Sequence, residues 1–394
     1  MSDFRIHTQL FSNLQGPRLR MAKGYDDRNL LDKGKSEKYV TGVFRLPGHA
    51  KDFMKLTIRK IAEIANVSRG TVDKVLHNRP GVSEPIREKV KNVASALDYK
   101  PNIVGKALAG QQNPKTIGVI VAPDFNPFVE DIKIGVQAAK DEISDYGYNI
   151  DMRVLNTLDA QEQINILDSF IENKTDGIAL FSIDSDKIRK KVDAIVADGL
   201  PVVTYNSDIQ DSNRICFVGQ DHYKGGFVAG DLMSNILIEG SNVLIITSLL
   251  ELACHKNRIT GFKQAIEEFE SKIQITDIVE NQDKKQLAFE QTLKYVENYP
   301  ALNGIYVTGG GVSGVGEALR TIGKHKEIKL ICHDLVESTA NLMKEGIIDF
   351  TICQDPFYHG YKSVKIIFEY LFSGKNPESK FVQTKIDIRS RSNV

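Results

Sequence analysis

From Pro114 to near the C-terminus, short apolar runs alternate with amphipathic stretches of a dozen or more residues, and that rhythm admits few folds. The runs Ile117–Val121, Gly177–Phe181, Pro201–Tyr205, Val243–Thr247, Gly304–Val307 and Leu330–Cys332 are short enough for strands and predominantly apolar. A strand buried on both faces reads this way, and the helical stretches between supply the crossovers that parallel neighbours need. The pattern therefore predicts βαβ units, with helices on both faces of parallel sheets. Single cores stop growing near ~250–300 residues, so a repeat of this length points to two lobes within residues 116–394.

The N-terminal third has a different texture. Residues 1–53 are polar, with scattered Gly and Pro and no sustained period, and are expected to be a disordered extension. Met54-Lys55-Leu56-Thr57 looks like a natural start for a folded helical segment. Residues 54–101 carry three short helical patterns, and residues 102–115 read as a linker. The whole chain has no net charge, so any polyanion-binding surface must be local. Residues 54–112 hold eleven Lys/Arg against five Asp/Glu, 11 − 5 = +6, which is such a footprint. Cys216, Cys254, Cys332 and Cys353 are far apart and form no CxxC pair, so neither a zinc site nor a disulfide framework is indicated. With no run of ~18 apolar residues and no signal core, the expected setting is the cytoplasm, with no membrane partner and no cofactor.

Thr57 to Ser68 reads as a helix, a sharp turn and an N-cap. The Ser68 hydroxyl can accept the orphan amide of Thr71 and start a second helix. There Val72, Val75 and Leu76 mark the buried side, which turns Arg69, Gly70, Asp73, Lys74 and His77 outward. An arginine in the first turn of a helix lying in the major groove suits the two acceptors of guanine, and Lys74 can take a base or a phosphate. A third helix starts at Ser83 with Pro85 in its first turn and an expected buried face of Ile86, Val90, Val93, Ala94 and Leu97. Charge and periodicity alone fit equally a small helical bundle with a solvated basic face.

Thr57-Ile58, Ala62, Ala65, Val67-Ser68, Thr71-Val72, Val75-Leu76, Val82-Ser83, Arg87, Val90 and Tyr99-x-Pro101-Asn102 together resemble the DNA-binding headpiece of the lactose-repressor (LacI/GalR) family. The resemblance implies that Thr57, Ser68, Arg69, Gly70, Thr71, Asp73, Lys74, His77, Asn102 and Lys106 face double-stranded operator DNA. Two departures stand out: Asp73-Lys74 replaces the family's usual Ser-Arg, and Gly70 gives one reading position no side chain. Ile103 to Gly110 resembles the family's hinge helix, which orders on the operator and wedges a leucine into the minor groove. That role maps to Leu108; the alternative is a linker with an ordinary buried leucine.

From Lys115 onward the chain resembles ribose-type periplasmic sugar-binding proteins, the fold that this repressor family carries as its regulatory core. The implied division is an N-lobe of about 116–222 and 355–383 and a C-lobe of about 223–354 and 384–394. Open α/β sheets bind ligands at strand ends, which assembles Asn126, Phe128, Asn206, Ser207, Asp208, Arg258, Gly309, Asp334 and Gln354 as the expected ligand-binding set. Phe128 suits the apolar face of a sugar, while Asp334 and Arg258 suit its hydroxyls. Asn206-Ser207 stands where those proteins commonly show Asp-Arg, and Gly309-Gly310 where they show Asn-Asp.

Two rivals remain. Gly309-Gly310-Gly311-Val312-Ser313-Gly314 fits G-x-G-x-x-G, the signature of an NAD-dependent oxidoreductase, but it comes after a late strand and no lysine completes a phosphate loop. A cytosolic sugar-binding protein without a DNA role is the other. The eight histidines show no HxxxH spacing. The expected protein is a non-enzymatic, homodimeric repressor controlled allosterically by a sugar or sugar-like ligand, because one helix-turn-helix reads only a half-site.

Overall fold

The structure is a computed structural model and describes residues 58–76, 79–97 and 103–394; the expectation of disorder over 1–53 lies outside the described residues. Helices α1 (Ile58–Ala65), α2 (Arg69–Leu76) and α3 (Glu84–Ala96) pack around Ile61, Ala65, Val72, Val75 and Val90. The turn between α1 and α2 uses Asn66 in the left-handed region, φ 50°. The Ser68 hydroxyl accepts the amide of Thr71 at 3.1 Å and contacts the Thr71 hydroxyl at 2.8 Å. At α3 the backbone carbonyl of Ser83, not its hydroxyl, takes the first amides. Ile86 departs from expectation: it is exposed. The α3 residues reached by the other two helices begin at Val90, so the first turn projects past the small core.

Helix α4 (Ile103–Gln112) comes next. Ten residues are marginal for an isolated helix, but its last turn rests on the α/β core. The Gln111 amide donates to the Asp145 carbonyl at 3.2 Å, and Gly110 lies so close to Tyr146 that a Cβ would sit 2.1 Å from its carbonyl oxygen. The expectation of a helix formed only on DNA thus meets a helix already supported by tertiary contact.

The rest is two parallel sheets. The first runs in the order β11-β5-β4-β3-β1-β2, with β1 Lys115–Val121, β2 Tyr148–Val154, β3 Gly177–Leu180, β4 Val202–Tyr205, β5 Cys216–Gly219 and β11 Phe381–Gln383; α5 (Phe128–Ser144), α6 (Ala160–Glu172), α7 (Asp186–Ala197) and α13 (Pro356–Ser373) connect or cover these strands. The second runs β12-β10-β9-β8-β6-β7. Its strands are β6 Asn242–Thr247, β7 Gln274–Glu280, β8 Leu302–Val307, β9 Lys329–His333, β10 Phe350–Cys353 and β12 Asp387–Arg389, with α8 (His222–Ile236), α9 (Ala253–Glu268), α10 (Lys285–Asn298), α11 (Val312–Thr321) and α12 (Glu337–Lys344). Only β12 is antiparallel to its neighbour.

Each lobe closes a helix pair at glycines. A Cβ on Gly226 of α8 would lie 1.9 Å from the Arg258 carbonyl oxygen of α9, and one on Gly261 of α9 1.9 Å from that of Tyr223. Gly135 of α5 and Gly360 of α13 repeat the arrangement against Phe357 and Ile132. Backbones this close leave no room for any side chain.

The chain crosses between lobes after β5, after β10 and between β11 and β12. One side chain ties the three crossings together: the Gln220 amide donates to the carbonyls of Cys353 at 3.0 Å and Lys385 at 3.1 Å.

Candidate functional site

The cleft lies at the C-terminal ends of the strands, where the lobes meet. They are drawn together. Asn126 beyond β1 donates its amide to Asp283 beyond β7 at 3.2 Å, the Asp184 amide bonds the Glu251 carbonyl at 3.3 Å, and the His222 ring meets the Asn206 carbonyl at 2.6 Å. Asn126 also caps its own loop, accepting the Phe128 amide at 3.1 Å.

Seven of the expected ligand residues line this cleft: Asn126, Phe128, Asn206, Arg258, Gly309, Asp334 and Gln354. Phe128 is buried and presents a ring edge-on to His359. Asn206 and Asp334 sit at strand ends in the left-handed region, φ 60° and 69°, conformations that Asn and Asp accept more readily than most residues. Arg258, only 2% exposed, donates Nη1 to the Thr308 carbonyl at 2.6 Å, while its Nε and Nη2 have no partner among the described residues. Asp334 accepts from the Gln354 amide at 3.0 Å. Burial raises the Asp334 carboxyl above the usual range, and the Arg258 charge and the Gln354 bond oppose the rise.

Two expected residues do not join the site. Asp208 is gripped by the Arg214 guanidinium and the Thr204 hydroxyl, so its carboxylate is already engaged beside β4. Ser207 is buried outside the lining. Both come after Asn206, which takes a left-handed backbone at φ 60°.

Three titratable residues that line the cleft were not in the expected set. Asp283 receives the Gly310 amide at 2.6 Å as well as Asn126. Cys254 and His255 occupy the first turn of α9, four and three residues before Arg258, on the face that carries it. That spacing was available as a signal; Asp283 was not, because the half-exposed strand before it has no apolar run.

The glycine run serves packing rather than a dinucleotide. Asp283 already holds the Gly310 amide, and a Cβ on Gly314 would strike the Lys285 carbonyl at 2.1 Å. Behind the cleft, burial and the Arg258 charge keep His222, His333 and His359 neutral; His359 is depressed to about 3.

On the headpiece, Arg69, Gly70 and Lys74 are exposed on α2, with Asp73 half-buried and paired to Arg79 at 3.3 Å. Ser68 is exposed and Thr71 half-buried. Thr57, His77 and Asn102 lie outside the described residues, as does the side chain of Lys106. Leu108 on α4 is 60% exposed.

Comparison with known proteins is decided by two matches. Residues 57–102 match the bacterial regulatory proteins of the lacI family, and residues 117–376 match the periplasmic binding protein domain. This chain belongs to the lacI family. Catabolite control protein A of Priestia megaterium is 27% identical over 258 residues, 64% of this chain and 74% of that protein. The ribose operon repressor of Haemophilus influenzae is 29% identical over 214 residues, 54% of this chain and 60% of that one. The lacI-family chain thus spans between three-fifths and three-quarters of these regulators. The glucose-galactose binding protein GanP of Geobacillus stearothermophilus shares its fold at a TM-score of 0.67 and 24% identity, covering 72% of this chain and 99% of GanP. These three relatives are regulators and a sugar-binding protein, and none is named as an enzyme.

Proposed function

We propose that this lacI-family protein is a cytoplasmic transcription repressor that binds double-stranded operator DNA as a homodimer and is controlled by a sugar or sugar-like ligand between its lobes. The observation that carries the reading is a buried arginine that lines the interlobe cleft and has two unpartnered nitrogens, on the same chain as an exposed basic recognition face. Donors left unpaired at this depth are costly, and hydroxyl or carbonyl oxygens of a small polar ligand would satisfy them.

Coupling arises from the connections. α4 rests on the core through Gly110 and Gln111, so a change in the lobe arrangement moves the element that joins headpiece to core. A ligand shifts the DNA-competent population only by the difference in its affinities for the two arrangements. A thermal-shift screen of monosaccharides, polyols and sugar phosphates on the full chain tests the cleft. At a hundredfold excess over Kd a true ligand adds about 2.7 kcal/mol; no shift with any member of the panel would overturn the sugar reading.

Arg69→Ala tests the DNA half. It should cost about 1–3 kcal/mol of specific operator binding while leaving weak, salt-sensitive binding to random DNA in place. Unchanged operator affinity in a titration would remove α2 as the reading helix, and a chain with no operator at all would be a ligand sensor without a DNA role. Leu108→Ala, at a solvent-exposed position, should weaken operator binding with no change in ligand affinity or melting temperature. Equal losses in all three would mark a structural leucine instead.

A further inference from the structure

We infer that the loop between β6 and α9 is a strap that holds the two lobes closed before any ligand arrives. The segment reads Ser248-Leu249-Leu250-Glu251-Leu252 and belongs to the C-lobe. Its apolar side chains do not. Leu252, only 3% exposed, joins the hydrophobic core of the N-lobe, as does Cys254, and Leu249 packs against the same core. Neither of the C-lobe cores contains any of the three. Val336, just past β9 of the C-lobe, also packs against the N-lobe core. At its base the loop is fixed to the lobe that carries it. The Leu250 amide donates to the Glu280 carboxylate at 2.6 Å, the Gln282 amide donates to the Ser248 carbonyl at 3.0 Å, and His255 Nδ1 meets the Leu249 carbonyl at 3.3 Å. A loop anchored in this way cannot swing free of the C-lobe, so unseating Leu252 and parting the lobes are one motion.

Polar ties accompany the apolar seat. The Asp184 amide of the N-lobe donates to the Glu251 carbonyl at 3.3 Å. The Asp184 carboxylate lies 3.7 Å from the Lys256 ammonium of α9 and holds Arg189 of its own lobe at 3.1 Å. Asn126 and Asp283 add their bond at 3.2 Å. The Lys256 side chain is 58% exposed, and an ion pair so open to water contributes little. The leucine decides, because full burial of its side chain shifts an equilibrium by about tenfold or more. Leu252 also lines the ligand cleft, together with Leu158 and Phe181 of the N-lobe. A ligand that binds the closed arrangement would find it already populated, with no closing step to reduce its apparent affinity. That consequence rests on the proposed effector site; the strap itself does not.

Distances between spin labels on the ligand-free, full-length chain test the strap. The labels are carried by Lys187→Cys on α7 and Thr260→Cys on α9, both exposed positions, while the four native cysteines are buried. With Leu252 in place the distribution should hold one short distance. In Leu252→Ala a longer distance should gain at least about tenfold in population, in Leu252→Val it should gain less, and Leu252→Met should stay closed. Leu167→Ala removes a fully buried leucine from the same core without crossing between lobes. It should lower the urea midpoint and leave the distance unchanged. A parent already open without ligand would overturn the inference. So would a Leu252→Ala chain that stays closed, or a Leu167→Ala chain that opens as far. Should Leu252→Ala fail to fold, Leu252→Val compared with Leu252→Met decides in the same way, and equal distances in those two would overturn the strap. No ligand enters these measurements, so their failure leaves the sugar screen to judge the effector site, and a failed screen leaves the strap standing.

Discussion

Gly261→Ala should unfold the protein at a markedly lower urea concentration, with a loss of about 3 kcal/mol, the upper end of what overpacking costs. On helix propensity alone the substitution would stabilise by about 1 kcal/mol, so the sign of the result tests packing against propensity. The added Cβ would meet the Tyr223 carbonyl oxygen at 1.9 Å and the Phe227 nitrogen at 2.7 Å. Both are backbone atoms of α8, which no rotamer change can move aside. The helices must separate, and Arg258, one turn before Gly261 on α9, moves with them. Gly70→Ala is the matched control, since its nearest neighbour would be the Ser68 hydroxyl at 3.8 Å, and it should be neutral or slightly stabilising. Urea unfolding at unchanged slope would read the difference. A midpoint for Gly261→Ala equal to that of the parent would mean that the two helices do not pack this closely.

That helix pair also shows where sequence reading ran out. The interior strands β1, β3, β4, β6, β8 and β9 were legible because burial on both faces makes them mostly apolar. Strands β2 and β7 were not, for each closes the free edge of its sheet and is largely open to solvent. Missing β7 concealed Asp283, which sits just beyond it. Asp208 illustrates the opposite error. Strand-end placement alone cannot tell a carboxylate aimed at a ligand from one already clamped by a nearby arginine.

A subtler signal was present and unread. Gln220-Asp221 precedes Gly226 as Gln354-Asp355 precedes Gly360. In each case the Asp accepts the backbone amide three residues on and so caps its helix, and the Gly makes the close helix contact. One local solution therefore serves both lobes, at two of the three crossings between them. The glutamines have diverged in use: Gln220 ties the crossings together, whereas Gln354 turns into the cleft and holds Asp334. A motif search tuned to catalysis passes over such a repeat, because its chemistry is helix capping and backbone contact.

Asp334→Asn should weaken the binding of the sugar that gives the largest thermal shift by at least about tenfold, while operator binding without ligand stays at the parent level. Asparagine keeps the shape, tolerates the left-handed backbone at φ 69° and still accepts the Gln354 amide through its oxygen. What it loses is charge. The carboxylate at the end of β9 is opposed by burial and favoured by Arg258, so in the ligand-bound cleft it can take hydroxyl hydrogens in charge-assisted bonds worth about 1.5–3 kcal/mol each. Removing one such bond is tenfold or more in Kd. Because burial has raised the Asp334 carboxyl, the parent should also lose affinity as pH falls through that raised value, where the protonated acid no longer accepts on both oxygens; the Asn variant should lack this dependence. Calorimetry over a pH series on both proteins reads the two effects together. An Asn variant that binds as tightly as the parent would detach Asp334 from the ligand. A parent whose weakening at acid pH is shared by the variant would assign the titration to another group, with His255 next in line.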